Sequence, residues 1–172
     1  SGESWKQIAT LGSTDRSYTH ISSKRFPIKL GKKYVYTVRA YNSFSKKWGN
    51  YDKIGISSRT SPTAVKLKSA RLDAKKSTVT ISWNKAYGGD TYYVYRKTSS
   101  NAAWKRIATL RSNVLSYTDK KPVKGTTNIY TVRMYSSKEK IAGGYDKKGV
   151  SATVSIYPEK YSWRRYRLTI IM

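Results

Sequence analysis

The chain contains no cysteine. Disulfides, thiolate metal sites and cysteine nucleophiles are therefore excluded together. Histidine occurs once, at His20, so any imidazole catalysis or histidine metal cage would rest on that one ring. Acidic residues are scarce: 9 Asp and Glu stand against 35 Lys and Arg, a formal net charge of +26 over 172 residues. So uneven a balance implies an acidic partner or environment. No apolar run nears the roughly 18 residues of a membrane-spanning helix. No signal peptide is visible, and Ser1-Gly2-Glu3 reads as an internal point of a longer protein. Phenylalanine is also rare, with 2 Phe beside 16 Tyr and 5 Trp.

What is present is a strand-forming mixture. Tyr, Thr, Val and Ile dominate over Leu, Ala and Glu. At 38 % hydrophobic the chain has enough apolar material for a core and is not a disordered segment. The positive charge is spread evenly. Residues 1–62 carry 12 basic and 3 acidic residues, and residues 63–172 carry 23 and 6. Neither half holds a basic tail.

The chain repeats itself. Trp5-Lys6-Gln7-Ile8-Ala9-Thr10-Leu11 returns as Trp104-Lys105-Arg106-Ile107-Ala108-Thr109-Leu110, and Ser17-Tyr18-Thr19 as Ser116-Tyr117-Thr118. Tyr36-Thr37-Val38-Arg39-Ala40-Tyr41 returns as Tyr130-Thr131-Val132-Arg133-Met134-Tyr135. Gly49 to Ser57 returns as Gly143 to Ser151 around a shared Tyr-Asp-Lys. The offset is 99 residues at the tryptophan and 94 at the later blocks. A period of this size is too long for a solenoid repeat and suits a complete small sandwich domain.

Alternation of period two marks half-buried strands. Val79, Ile81 and Trp83 alternate with Thr80 and Ser82; Tyr34, Tyr36, Val38 and Ala40 alternate with Val35, Thr37, Arg39 and Tyr41. Turn residues at Gly88-Gly89-Asp90, Ser99-Ser100-Asn101, Lys124-Gly125 and Gly143-Gly144 separate the runs. The second copy is expected to form seven strands near 64–72, 77–84, 91–98, 104–110, 115–118, 128–136 and 149–157. No helical period is found.

Over about residues 1–158 the chain resembles tandem fibronectin type III domains of secreted and surface proteins from Gram-positive bacteria of the clostridial kind. The marks are Trp83 in the second strand, Tyr92-Tyr93-Val94-Tyr95-Arg96-Lys97 in the third, and Leu30-Gly31-Lys32-Lys33-Tyr34 leading into Val38-Arg39-Ala40-Tyr41-Asn42. The resemblance implies an all-β, immunoglobulin-like sandwich. It places Tyr34 at the tyrosine-corner position, its hydroxyl bonding back to the preceding loop. The second copy carries Asn128 there, so that corner is absent or remade.

Aligning the copies sets Ser1 against about Ser100, so residues 63–99 have no counterpart in the first copy. The expected organisation is the C-terminal part of one domain over 1–62, a complete domain over 63–158 and a strand-like tail over 159–172. The first copy lacks its N-terminal strands and would point Ile8, Tyr34, Tyr36, Val38 and Ala40 at an absent sheet. At roughly 25 cal/mol per Å2 that bare area represents several kcal/mol. Three explanations are open: a cut inside a longer array, donor-strand complementation by another chain, or partial disorder of the first 60 residues. The tail offers a donor strand, because Tyr166, Leu168, Ile170 and Met172 alternate.

Catalytic constellations are not found. His20 stands where the second copy has Asp119 and reads as an exposed turn residue in preference to a lone base. Asp52 and Asp146 recur in Tyr-Asp-Lys and read as turn-forming aspartates in preference to a catalytic or metal pair. There is no phosphate-binding loop, nucleophile elbow or paired carboxylate. No cofactor and no metal are expected.

A binding face is the better candidate. If Tyr34, Tyr36, Val38 and Ala40 point inward, Arg39 and Tyr41 point outward. The same parity turns Arg133 and Tyr135 outward in the second copy, beside Tyr93, Tyr95 and Lys97, with Trp104 and Lys105 on the next strand. Aromatic faces stack on sugars or bases, and Arg or Lys holds anionic groups. The competing explanation is cross-strand pairing without a ligand. No nucleic-acid recognition motif accompanies the charge, so only salt-sensitive polyanion binding is expected of it. The expected role is a non-catalytic spacer or adhesion module of a secreted or wall-associated bacterial protein, contacting anionic wall polymer, glycan, neighbouring domains or neighbouring protomers. Alternatives are an accessory module of an extracellular wall- or glycan-active enzyme, and a surface protein assembled by strand donation.

Overall fold

The computed structural model describes residues 4–156, and every regular element in it is a strand. The first repeat contributes β1 (Lys33–Tyr36), β2 (Tyr41–Asn42), β3 (Lys47–Trp48) and β4 (Ile56–Arg59). The second contributes β5 (Leu67–Asp73), β6 (Thr78–Trp83), β7 (Thr91–Lys97), β8 (Lys105–Arg111), β9 (Ser116–Asp119), β10 (Thr126–Ser136), β11 (Ile141–Ala142) and β12 (Val150–Val154). All seven strands expected of the second repeat are present, and β11 is an addition that folds back on the end of β10.

The second repeat is a two-sheet antiparallel sandwich. One sheet runs β5-β6-β9, the other β11-β10-β7-β8 with β12 also paired to β10. This is the strand grouping of an immunoglobulin-like, fibronectin type III-like sandwich. Alternation decides which side chains meet. Val79, Ile81 and Trp83 of β6 face Tyr92 and Val94 of β7 and Tyr130, Val132 and Met134 of β10, all essentially inaccessible. The intervening Thr80 turns out to the surface, where it bonds Thr118 across β6 and β9. Among the described residues Trp83 Nε1 is the buried side-chain nitrogen without a hydrogen-bond partner. Asp119 is buried beneath this core, where its Oδ2 lies 2.7 Å from Arg96 Nη1 and accepts the Tyr130 hydroxyl at 3.1 Å.

The first repeat reproduces the second in register where it has strands at all. β1 pairs with β4 from Lys33↔Arg59 to Tyr36↔Ile56, as β10 pairs with β12 from Thr127↔Thr153 to Tyr130↔Val150. The β2–β3 pair Tyr41↔Trp48 matches Tyr135↔Ala142. One difference is informative. β10 runs unbroken for 11 residues, but its counterpart splits into β1 and β2, with residues 37–40 outside any strand. In the second repeat β7 holds that stretch, pairing Tyr95, Val94, Tyr93 and Tyr92 with Thr131 to Met134. Among the described residues no strand stands in the place of β7 in the first repeat, and residues 37–40 lack the pairing that keeps β10 extended.

The face expected to be bare is only partly exposed among the described residues. Ile8, Tyr34 and Tyr36 are half-buried, Ala40 is exposed and Val38 is 80 % exposed. The Tyr34 corner forms as expected: its hydroxyl accepts Lys29 N at 2.6 Å and reaches back to Pro27 O at 3.5 Å. In the second repeat Asn128 remakes the corner with an amide. Its Oδ1 accepts Val123 N at 2.9 Å and its Nδ2 donates to Val123 O at 2.8 Å.

The two repeats meet through a fitted joint. Thr60 N donates to Lys32 O at 2.8 Å and the Thr60 hydroxyl to Lys29 O at 2.7 Å, tying the end of the first repeat to its own corner. Three residues on, Thr63 N donates to Tyr87 O at 2.9 Å, and Tyr87 N donates to the Thr63 hydroxyl at 2.8 Å. Across the joint the buried Ser136 hydroxyl donates to Gly31 O at 3.1 Å. Gly31 (φ 65°) and Gly88 (φ 87°) both have left-handed backbones and touch so closely that a methyl on Gly31 would overlap the Gly88 carbonyl.

Candidate functional site

The in-register pairs of β7 and β10 bring Tyr93, Tyr95 and Lys97 onto one outer face with Arg133 and Tyr135. There the side chains separate into two groups. In the first, Trp104 meets Tyr145 edge-on with centroids 6.5 Å apart, and Arg133 lies 5.2 Å over the Tyr145 ring. Lys97 Nζ sits 4.6 Å over Trp104. Tyr95, Trp104, Thr131, Arg133 and Tyr145 line a shallow cavity of about 100 Å3. That is well below the ~300–1,000 Å3 of sites that engulf a small molecule, so it suits one ring or one anionic group at the surface. In the second group Tyr93 and Tyr135 lie 4.8 Å apart, with Arg106 4.6 Å over Tyr93.

Two corrections follow for the expected site. Lys105 does not join this face. It pairs with Arg96, which turns inward to Asp119, so Lys105 shares the other side of the sheet. An irregularity in β8 brings Arg106 opposite Tyr95 and puts it in the place expected of Lys105. Tyr145 is the residue that sequence reasoning missed. Its signal was available, because it repeats Tyr51 in the shared Tyr-Asp-Lys.

The first repeat builds the same cluster from its own residues. Trp5 meets Tyr51 edge-on at 6.3 Å, and Arg39 lies 5.3 Å over Tyr51. Arg39 Nε donates to Gly49 O at 2.7 Å, as Arg133 Nε donates to Gly143 O at 2.6 Å. The Thr37 hydroxyl donates to Asp52 O at 2.8 Å, and the Thr131 hydroxyl to Asp146 O at the same distance. Tyr41 packs on Trp48 at 4.5 Å. Tyr95 and Lys97 have no counterparts there, since they belong to the missing strand.

Asp52 and Asp146 shape turns. Asp52 Oδ1 accepts Ile54 N at 2.8 Å, and Asp146 Oδ1 accepts Lys148 N at 2.9 Å and Gly149 N at 3.1 Å. His20 departs from the exposed turn residue expected of it. It is half-buried, with Nδ1 3.0 Å from the Tyr36 hydroxyl and Nε2 3.2 Å from Phe26 O. The carbonyl fixes Nε2 as a donor. Burial pushes the Tyr36 hydroxyl above its ordinary value, helped by Tyr34 and Tyr18. Burial, with Asp119 nearby, also raises Tyr117, and it raises Tyr130 strongly. The strand-donation residues Tyr166, Leu168, Ile170 and Met172 lie outside the described residues.

No family model and no curated protein matches the sequence. Among solved structures the chain is similar to an Fn3-like protein from Clostridium thermocellum, 32 % identical over 49 % of this chain and 81 % of that one, with a TM-score of 0.40. It is similar to a beta-1,2-glucanase from Parabacteroides distasonis, 20 % identical over 58 % of this chain, with a TM-score of 0.48; the match spans 14 % of the glucanase. It is also similar to domains d3–d4 of the rat CD45 extracellular region, 14 % identical over 88 % of this chain and 78 % of that one, with a TM-score of 0.46. The chain is an all-β protein of the sandwich class, and its second repeat forms an immunoglobulin-like pair of antiparallel sheets.

Proposed function

We propose that this chain is a non-catalytic spacer within a larger extracellular protein, of the kind displayed on or secreted by a Gram-positive bacterium. The observation that carries the reading is the joint. The chain crosses from Thr60 to Thr63 hydrogen-bonded at both ends, and Ser136 bonds Gly31 across the contact. A fitted joint makes consecutive domains hold a set direction and spacing, which is what a spacer supplies. Hydrogen exchange at the Thr63 and Tyr87 amides tests it. Protection comparable to the β6 amides is expected, and exchange at the rate of exposed loops overturns the reading.

A second reading is that of an accessory module contacting an anionic glycan or wall polymer through its outer face. The specific support is that Trp, Tyr and Arg form the same open cluster in both repeats. Affinity for a soluble polyuronate over a neutral polysaccharide, dependent on Trp104 and Tyr145, is its test. Retention that follows salt alone is generic polyanion binding and ends this reading.

A further inference from the structure

The β2–β3 hairpin and its counterpart, formed by the end of β10 and β11, share a backbone. Tyr41↔Trp48 and Asn42↔Lys47 match Tyr135↔Ala142 and Ser136↔Ile141, and Lys46 (φ 52°) and Lys140 (φ 54°) take the same left-handed turn. The side chains carried on that backbone differ. The second repeat presents Lys138-Glu139-Lys140, whereas the first presents Phe44-Ser45-Lys46, with Trp48 in the place of Ala142. Phe44 is 98 % exposed, the most exposed large hydrophobic side chain among the described residues. This exposure belongs to the hairpin and does not depend on what precedes the first repeat. Lys138 is exposed at the same place even though the first repeat is docked two residues away, on the buried Ser136.

The tip is held in place. Asn42 Oδ1 accepts Phe44 N at 3.0 Å and Ser45 N at 2.9 Å, which fixes the turn that carries Phe44 outward. At the base of the hairpin Tyr41 and Trp48 pack 4.5 Å apart, each about half exposed, and Arg39 lies 5.4 Å over the Trp48 ring. Lys46 and Lys47 are exposed between the apex and this pair. From Arg39 to Tyr51 the chain carries three basic residues and no acidic one, while the matching stretch from Arg133 to Tyr145 includes Glu139. An apolar apex, a cationic collar and an aromatic base thus follow one another along one hairpin. At about 3.4 Å per residue the apex stands roughly 7–10 Å beyond the aromatic pair. Interfacial segments bury their apolar groups to a similar depth, about 5–10 Å into the boundary between headgroups and acyl chains.

We propose that this hairpin is a membrane-contact tip, which inserts Phe44 into the surface of a bilayer rich in anionic lipid. The order of its groups is the order of the interface. Phe44 enters the acyl boundary. Lys46 and Lys47 extend their ammonium groups to lipid phosphates while their stems lie against apolar surface. Tyr41 and Trp48, each with an apolar body and a polar edge, sit at headgroup level. One apolar group alone holds a protein on a membrane only weakly, and the basic collar supplies the second attraction. The second repeat carries a lysine and a glutamate at the same tip, so it lacks the apolar element and has a charge that anionic lipid repels.

The test uses the full chain with vesicles of phosphatidylcholine, alone or mixed with phosphatidylglycerol, prepared with and without bromine on the acyl chains. Sedimentation with the vesicles measures binding, and bromine quenching of tryptophan emission measures insertion. The unaltered chain is expected to bind the mixed vesicles at least about tenfold more tightly than the neutral ones, with quenching. Trp48→Tyr, which keeps an interfacial ring, is expected to bind within about twofold of the unaltered chain and to lose the quenching. Phe44→Ser leaves the net charge unchanged and removes a side chain that is almost wholly exposed, so the fold is retained. It is expected to weaken binding to the mixed vesicles by at least about tenfold and to abolish the quenching. Ile156→Ser, which removes an apolar side chain 61 % exposed in the second repeat, is expected to change binding by less than about twofold. Equal binding of Phe44→Ser and the unaltered chain, or binding without quenching, is adsorption by charge alone and overturns the proposal. Equal binding to neutral and mixed vesicles overturns it as well. Failure to bind either vesicle also overturns it, and a polyuronate affinity that falls in Phe44→Ser would then assign the tip to a glycan surface.

Discussion

His20 Nδ1 lies 3.0 Å from the Tyr36 hydroxyl, in the place where Asp119 lies 3.1 Å from the Tyr130 hydroxyl one repeat later. The exchange of residue types follows from what else is present. Asp119 is buried with Arg96 arriving from β7 at 2.7 Å and Lys121 N donating to it at 3.0 Å. Among the described residues no arginine stands in that place beside position 20, and a poorly solvated carboxylate without a partner is costly. A histidine meets the same tyrosine without requiring a charge.

The Arg96–Asp119 pair is a sharp stability test. Arg96→Met leaves Asp119 buried without its cation and should cost about 3–5 kcal/mol in urea unfolding. Adding Asp119→Leu should recover most of that loss, because removing both charges is close to neutral in a packed core. A double variant as unstable as the single one would contradict the assignment.

The tyrosines set an alkaline limit. Burial raises Tyr130, Tyr117 and Tyr36 above the ordinary value of 10.0. Each is therefore neutral in the folded chain at pH values where the unfolded chain already ionises. Their contribution is whole below pH about 10 and is lost as pH climbs from there through the raised folded values. Stability should fall along that limb, followed by tyrosinate absorbance and circular dichroism together. Tyr130→Phe should make the fall shallower, at a cost of about 1.5–3 kcal/mol near neutrality for the lost bond to Asp119.

The outer face separates two neighbouring residues. Trp104→Ala and Tyr145→Ala should each weaken polyuronate binding by about tenfold, in the range of one lost aromatic contact. Lys105→Ala should change it by less than about twofold, since that side chain shares the other side of the sheet. Isothermal titration at fixed salt distinguishes these outcomes from a general charge effect.

The joint rests on small residues. Gly88→Ala puts a side chain at a φ of 87° and against Leu30. It should unlock the joint, with faster amide exchange at Thr63, while the β6 amides stay protected. Ser136→Ala, which removes the bond to Gly31 without adding bulk, should give a smaller change in the same direction.

Much of this architecture was legible in the sequence because alternation and internal repetition are strong signals. Val79-Thr80-Ile81-Ser82-Trp83 announces a strand with one buried face, and the recurrence of Tyr36–Tyr41 as Tyr130–Tyr135 carried the fold from one copy to the other. The gap left by residues 63–99 was also visible, as an alignment without a counterpart. Lys105 misled because parity along β8 is interrupted at Ile107, and a one-residue irregularity reverses the faces beyond it. Tyr145 lies outside the strands, where side-chain direction has no simple period and only its repetition of Tyr51 marks it. The half-buried placement of His20 depends on Tyr36 and Phe26, contacts across 16 and 6 residues that no local pattern encodes.

The claim that the repeats form one fixed unit is tested most directly by a distance across the joint. The absence of cysteine makes this clean, since Ser58→Cys on β4 and Thr109→Cys on β8 are exposed positions and would carry the only two thiols. Spin labels there should give a single narrow distance distribution, unchanged between low and high salt. A broad or multimodal distribution in the unaltered background would contradict a fitted joint and with it the spacer reading.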